Sequence, residues 1–224
     1  MPDSRPDLIF DLDGTLIDSA PDIAHALNHL LGELGLRSLD IATVRSLVGD
    51  GAPELMRKAL AMAGRVVEPA DIPPLFERYR AYYLEHAIRL TRPYPGVPET
   101  LAALRASGHR MAVCTNKIQK PTLKILDGLG LARYFDGVVG GDVTPARKPD
   151  PRHLLAALAL IDGAPNKAVM IGDGINDALA AKAAGIPLLI LDSGYGEIAA
   201  RDLGGDLLLE SFSEIPGALR RLNG

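Results

Sequence analysis

The chain has 224 residues, 47% of them hydrophobic and 23% charged, which leaves room for one α/β domain, or for a core carrying a smaller insertion, and excludes a disordered chain. Its formal net charge of -4 argues against nucleic acid and anionic membranes as partners, because both require clustered Lys and Arg. One cysteine, Cys114, excludes an internal disulfide; with no apolar leader in Met1-Pro2-Asp3-Ser4-Arg5-Pro6, no run long enough for a bilayer and no repeat, the cytoplasm is the expected compartment.

The first short apolar run, residues 8–10, reads as a buried strand that opens into Asp11-Leu12-Asp13-Gly14-Thr15. In extended backbone a spacing of two points both carboxylates to one side. Phosphoryl transfer through a covalent aspartyl phosphate requires one carboxylate as nucleophile and a second to handle protons. An acidic turn that caps the next segment uses the same residues, so this segment alone leaves both readings open.

From about residue 16 to about residue 90 helical patterns follow one another without a convincing strand, which predicts a helical cap over 16–90 inserted in a core over 1–15 and 91–224. In its first helix Ser19 and Asp22 have the spacing of a capping box. Ile23, Leu27, Leu30, Leu31 and Leu34 form an apolar stripe, with Asp22, His25, His29 and Glu33 on the opposite face. His25 and His29 share the i, i+4 spacing of a metal pair but lack the intervening Glu of a zinc-protease helix, and are expected to face solvent. The interval ends at Arg92-Pro93-Tyr94-Pro95-Gly96, a stiff segment suited to a hinge.

A helix over 97–106 then leads to the buried run 111–114 and to Thr115-Asn116-Lys117. A hydroxyl and exposed backbone N–H groups at a strand end can hold phosphate oxygens, although Thr and Asn also end strands for ordinary turn reasons. Cys114 lies inside the apolar run with no histidine near it in sequence, and reads as a small buried residue. After the run 138–139, Arg147-Lys148-Pro149-Asp150-Pro151 starts a helix over 151–160: Pro149 keeps Lys148 extended, Asp150 is the N-cap and Pro151 the first helical residue. A lysine so fixed could neutralise a phosphate and crowded carboxylates; lysines before helices are otherwise solvated. The run 168–171 opens into Gly172-Asp173-Gly174-Ile175-Asn176-Asp177 and a helix ending near Gly185. Asp173 at the strand end and Asp177 in the first helical turn suit the helix dipole, and equally suit Mg²⁺. Runs 188–191 and 207–209 complete the strands.

This alternation predicts a doubly wound parallel sheet, a Rossmann-like α/β core whose ligands bind at the carboxyl ends of the strands. All four polar segments sit at such ends. Three or four carboxylates meeting there would repel one another strongly unless Lys148 and a divalent cation compensated them, so the segments are read together as one site.

In order and spacing, the segments built on Asp11-Leu12-Asp13, Thr115-Asn116, Lys148-Pro149 and Gly172-Asp173 with Asp177 make the chain resemble the haloacid dehalogenase superfamily across nearly its whole length. Within it the chain resembles the bacterial phosphoglycolate phosphatases, through Asp18-Ser19-Ala20-Pro21-Asp22, Val48-Gly49-Asp50-Gly51-Ala52, Tyr94-Pro95-Gly96-Val97 and Gly140-Gly141-Asp142. The resemblance implies Mg²⁺-dependent hydrolysis of a small phosphorylated metabolite, foremost 2-phosphoglycolate to glycolate and phosphate, through an aspartyl phosphate. It implies Asp11 as nucleophile and Asp13 as general acid and base. Mg²⁺ would be held by Asp11, the Asp13 carbonyl and Asp173, with Asp177 in support, and the phosphoryl group by Thr115, the Asn116 backbone and Lys148. Gly49, Asp50 and Gly51 would form a specificity loop of the cap. Asp50 stands where that loop frequently carries Asn: it either faces the substrate, where it would repel a carboxylate, or points away and caps the helix beginning near Ala52.

Asp13 favours a phosphatase over a halide-displacing dehalogenase, because an alkoxide must be protonated as it leaves and a halide need not be. A phosphonate-cleaving member would use a cap amine, and the cap's lysine, Lys58, lies in what reads as an ordinary amphipathic helix. The cap arginines read as solvated, with one of them able to reach a substrate carboxylate. The alternatives are a phosphatase or mutase for a sugar phosphate or pyrophosphate and, in another class, a phospho-receiver signalling domain, which the Asp-x-Asp spacing, the insertion and the length disfavour. Monomer and homodimer both stay open.

Overall fold

The structure, a computed structural model, describes residues 5–192 and 194–222; the chain start used in the leader reading and the outermost ends of the expected core lie outside them. The elements run β1 (Asp7–Phe10), β2 (Ile17–Asp18), α1 (Ala20–Glu33), α2 (Ile41–Leu47), α3 (Ala52–Met62), α4 (Ile72–His86), β3 (Arg92–Pro93), α5 (Val97–Ala106), β4 (Met111–Cys114), α6 (Gln119–Gly128), β5 (Gly137–Val139), α7 (Pro151–Ala159), β6 (Ala168–Gly172), α8 (Ile175–Ala184), β7 (Leu188–Leu191), β8 (Leu207–Leu209) and α9 (Ile215–Leu222). Each apolar run read as a strand is one. The runs β1, β4, β6 and β7 are buried along their whole length, because helices cover both faces of a parallel sheet and no residue of these strands meets water.

Six parallel strands take the order β5-β4-β1-β6-β7-β8. Phe10 pairs with Val113 on one side and Ile171 on the other, so β1 is central. The chain winds from β1 outward through β4 and β5, then returns to β6 on the opposite side. That reversal leaves a crevice outside the carboxyl ends of β1, β4 and β6. Side chains alternate across the sheet as extended backbone requires: Leu8 and Phe10 join one buried cluster, Ile9 the other. On the second face Leu154, Ala157 and Leu158 of α7 and Ala178 and Ala181 of α8 fill the layer. Among the described residues no helix is long and apolar enough to cross a membrane.

Helices α1 to α4 form the inserted block, and its apolar stripe holds: Ile23, Leu27, Leu30 and Leu31 are buried. Three local expectations fail. The interval contains a strand, β2, which pairs antiparallel with β3 in the register Ile17 to Pro93 and Asp18 to Arg92; two residues are too few to show a pattern. Ser19 makes no side-chain cap on α1; its hydroxyl donates to Asp13. Asp22, expected on the polar face, is wholly buried and accepts hydrogen bonds from Leu90 N, Thr91 N and Thr91 Oγ1. It therefore ties the entry of the helical block to its exit. His29 is exposed, as expected, with the Tyr82 ring of α4 stacked on it at 3.8 Å, while His25 is half-buried, its Nε2 3.0 Å from Tyr82 Oη.

Candidate active site

Asp11 follows β1 directly, its N–H donating to Ile171 O of β6 at 3.0 Å. The turn after it needs Gly14, whose φ is +88° and whose missing Cβ would sit 2.2 Å from Asp173 Oδ2. Thr15 Oγ1 donates to Asp173 Oδ1 at 2.5 Å, so the ends of β1 and β6 are joined at the carboxylate. From the loop after β5, Lys148 Nζ reaches Asp177 Oδ1 at 2.7 Å and Asp11 Oδ1 at 2.8 Å. The contact to Asp11 is an ion pair, and among the described residues Asp11 Oδ1 has no other partner. Asp150 caps α7 through Arg152 N, with Pro151 in the first turn, as proline chemistry predicts. Asp177 Oδ2 accepts from the N–H groups of Asp173 and Gly174 at 3.1 and 3.0 Å.

Ligand oxygens of Asp11, Asp173 and Asp177 lie within 4.8 Å of one another. Burial, only partly opposed by Lys148 and aided by Asp177, pushes the Asp11 carboxyl up to about 6. Burial, then Asp177 and Asp11, raises Asp173 well above the usual range. Burial alone would lower Lys148, but Asp11 and Asp177 outweigh it and keep the ammonium charged. One cation thus faces three carboxylates in a buried place. An all-oxygen set short of positive charge fits a hard divalent cation.

Asp13 lies outside this trio. It accepts from Ser19 Oγ at 2.5 Å, and Lys117 Nζ stands 3.0 and 2.9 Å from its two oxygens. Lys117 is buried and lies over the Tyr83 ring of α4, 4.8 Å from its centre. Sequence reasoning gave Lys117 no role; the one signal available was its place directly after Thr115-Asn116. The Thr115 hydroxyl accepts from Lys117 N at 3.2 Å, at the mouth of β4. The Asn116 side chain is otherwise engaged, donating to Gly49 O and Lys148 O. Cys114, whose thiol burial pushes up to about 12, is inert at neutral pH.

The loop before α3 closes onto these strand ends. Asn176 Nδ2 donates to Gly49 O at 3.2 Å and to Asp50 Oδ1 at 2.8 Å, while Lys58 Nζ pairs with Asp50 Oδ2 at 2.6 Å. Asp50 therefore does not cap α3, whose N-cap is Gly51 without a side-chain bond. Nor is it an unpaired charge, since Lys58 balances it. Gly51 fits closely beside Arg147 and Asn116 O. Four of the cap arginines are ion-paired: Arg45 with Asp18, Arg57 with Glu54, Arg78 with Glu33 and Arg80 with Glu77. Tyr195, also unforeseen, accepts from Ser19 N and Ala20 N, donates to Asp18 Oδ1, and offers its own N–H to Asp173 Oδ2.

Between strand ends and helical block lies a cavity of about 340 Å³ whose walls include Asp11, Asp13, Lys117, Lys148, Asp50 and Tyr83. A family model described as haloacid dehalogenase-like hydrolase matches residues 8–191. A phosphoglycolate phosphatase of Caulobacter vibrioides is 42% identical over 94% of this chain and 89% of its own. One of Agrobacterium fabrum is 39% identical over 96% of this chain and 92% of its own. Among solved structures, a chain from Haemophilus somnus described as a predicted phosphoglycolate phosphatase superposes with a TM-score of 0.90 at 30% identity, covering 97% of this chain and 99% of that one.

Proposed function

The chain belongs to the haloacid dehalogenase-like hydrolases, and from that premise we propose that it hydrolyses 2-phosphoglycolate in the cytoplasm through an aspartyl phosphate on Asp11, with Mg²⁺ as cofactor. Phosphoric monoester hydrolysis is the chemistry of the relatives it matches. The observation that carries the reading is the juxtaposition of Asp11, ion-paired to Lys148, with Asp13, held by Ser19 and Lys117, on one cavity floor.

In the proposed reaction an Asp11 oxygen attacks phosphorus while the ester P–O bond breaks. Asp13 gives its proton to the departing alkoxide, then removes one from the water that attacks the aspartyl phosphate, and phosphate leaves with Asp11 restored. Lys148 offsets charge on Asp11 and on the transferring group. Ser19 and Lys117 fix the Asp13 carboxylate, so the proton is delivered at one place. Thr115 and the Asn116 backbone flank the phosphoryl position. Asp11, Asp173, the Asp13 carbonyl and Asp177 would hold Mg²⁺, which supplies Lewis-acid stabilisation of the phosphoryl oxygens when bound. The helical block, proposed to be a cap over residues 16–90, closes the cavity and limits water.

A panel of 2-phosphoglycolate, sugar phosphates and pyrophosphate, assayed with Mg²⁺ and with chelator, tests this. Phosphate release from 2-phosphoglycolate far above the others, lost with chelator and recovered with Mg²⁺, is expected, together with acid-stable phosphate on Asp11 in rapidly quenched samples. Release from another member in preference overturns the substrate. One stable phosphate per chain without turnover overturns the hydrolase reading in favour of a receiver-type switch.

A further inference from the structure

The proposed hydrolase reaction accounts for Asp13 but leaves two polar groups beside it without a task. Tyr83 lines the cavity, and its hydroxyl is buried with no hydrogen-bond partner among the described residues. Burial, with Asp13 and Asp22 acting in the same direction, keeps that phenol protonated. A buried hydroxyl stranded in a cavity wall costs free energy unless something that enters the cavity accepts its proton. Over the face of the same ring sits the Lys117 ammonium, whose contacts to Asp13 use two of its three donor directions at most.

The other cations on the cavity wall are committed elsewhere. Lys148 is shared between Asp11 and Asp177, Lys58 pairs with Asp50 and Arg80 with Glu77. Lys58 and Arg80 are also about one-third exposed, against 7% for the Lys117 side chain, so an anion on Lys117 would be screened least.

Distance then selects the ligand. To protonate a leaving oxygen, Asp13 must approach it to about 2.6–3.2 Å. Lys117 Nζ lies 2.9 Å from Asp13 Oδ2, so an oxygen brought within proton-transfer distance of Asp13 comes close to the ammonium as well. Where a carboxylate is joined to the ester oxygen through one carbon, ordinary bond lengths place its oxygens about 2.7–3.6 Å from that oxygen, within reach of Lys117 and of the Tyr83 side of the cavity. A carboxylate further along a chain passes beyond both.

Resting on the phosphomonoesterase reading above, we propose that Lys117 Nζ and the Tyr83 hydroxyl form a carboxylate subsite spanning core and cap, which restricts good substrates to phosphate esters of 2-hydroxy acids. Lys117 thereby orients the general acid and reads the leaving group with the same ammonium. The site is complete only when α4 is seated over β4, so recognition also favours the closed form.

The test compares kcat/KM for 2-phosphoglycolate and for ethyl phosphate, which has a methyl in place of the carboxylate, in wild type, Tyr83→Phe, Lys117→Gln and Lys117→Arg with saturating Mg²⁺. Any effect through Asp13 or packing strikes both substrates and cancels in the ratio. Tyr83→Phe keeps the ring and should lower the ratio about 3- to 10-fold, and Lys117→Gln about 10- to 100-fold, as expected for a neutral and a charge-assisted hydrogen bond. Lys117→Arg should retain most of the ratio. Equal losses on both substrates in Tyr83→Phe and Lys117→Gln overturn the subsite while leaving the hydrolase reading intact. A wild type that prefers neither substrate overturns the 2-phosphoglycolate reading and the subsite with it.

Discussion

Replacing Asp22 by alanine should cost more stability than any surface change in the helical block. The carboxylate is wholly buried and receives Thr91 N at 2.8 Å, Thr91 Oγ1 at 2.7 Å and Leu90 N at 2.9 Å. Leu90 is exposed, so its N–H can be rehydrated, whereas Thr91 is wholly buried. Two buried donors would therefore be stranded, at about 1–3 kcal/mol each. Release of the carboxylate's own desolvation offsets part of this, for a net loss of about 2–5 kcal/mol, a large share of the roughly 5–15 kcal/mol typical of a domain. Asp22→Asn, which keeps the volume and one acceptor, should lose about half as much, and Thr91→Val in the Asp22→Ala background should recover about 1 kcal/mol by removing one stranded donor. Urea unfolding at constant m-value measures all three. A loss below about 1 kcal/mol in Asp22→Ala, within reach of ordinary surface substitutions, would refute the tether.

Three further outcomes are expected. Asp13→Asn should lower kcat by about 10² to 10⁴, and Asp11→Asn more, with circular dichroism unchanged in both; near-normal turnover in Asp11→Asn removes it as nucleophile. Asn176→Ala removes the amide donor to the Asp50 carboxylate and one of the two donors to Gly49 O, which Asn116 still bonds, and should raise KM about 2- to 10-fold, with little change in kcat; a fall confined to kcat contradicts a role for this contact in seating the loop before α3. His153 is wholly buried, bonded to Lys148 N and Gly140 O, and burial followed by Lys148 lowers its pKa to about 4. Its unfolded form binds a proton more readily, so its contribution is present above about 6.5 and is lost as pH falls toward 4. That is up to about 3 kcal/mol, read as the difference in acid-side slope between wild type and His153→Asn; identical slopes contradict it.

What could be read in the chain follows physical range. Strands buried on both faces are unbroken apolar runs, and a polar residue directly after such a run stands at the sheet's carboxyl edge, which made Asp11, Thr115 and Asp173 visible. Lys148 was placed by proline chemistry acting on its immediate neighbours. Where partners are remote, local pattern misleads. The spacing from Ser19 to Asp22 imitates a capping box, but Asp13 takes the first side chain and residues 90–91 the second. Lys117 finds Asp13 across 104 positions, and Tyr195 finds Asp18 across 177. No spacing rule reaches so far. Asp50 looked troublesome as an isolated carboxylate, and it is balanced by Lys58, eight positions on in α3.

The distribution of cations explains why the carboxylates can work side by side. Asp11 and Asp13 need different behaviour from the same functional group: one must stay an anion and attack, the other must pass a proton. Two lysines from different strand exits offset their charges separately, Lys148 beside Asp11 and Asp177, Lys117 beside Asp13, which lessens the mutual repulsion, while the difference in role comes from where each carboxylate stands relative to phosphorus and to the leaving oxygen. Tyr195 adds a mechanical link. Its N–H holds Asp173 Oδ2, while its hydroxyl binds the first backbone N–H groups of α1 and Asp18, which Arg45 of α2 also grips. The carboxylate cluster and the entry to the helical block are thus anchored on one residue. Asp173 is held from both sides, by the Tyr195 N–H and by the Thr15 hydroxyl after β1, so the entry to the helical block and the floor of the acidic cluster share their supports.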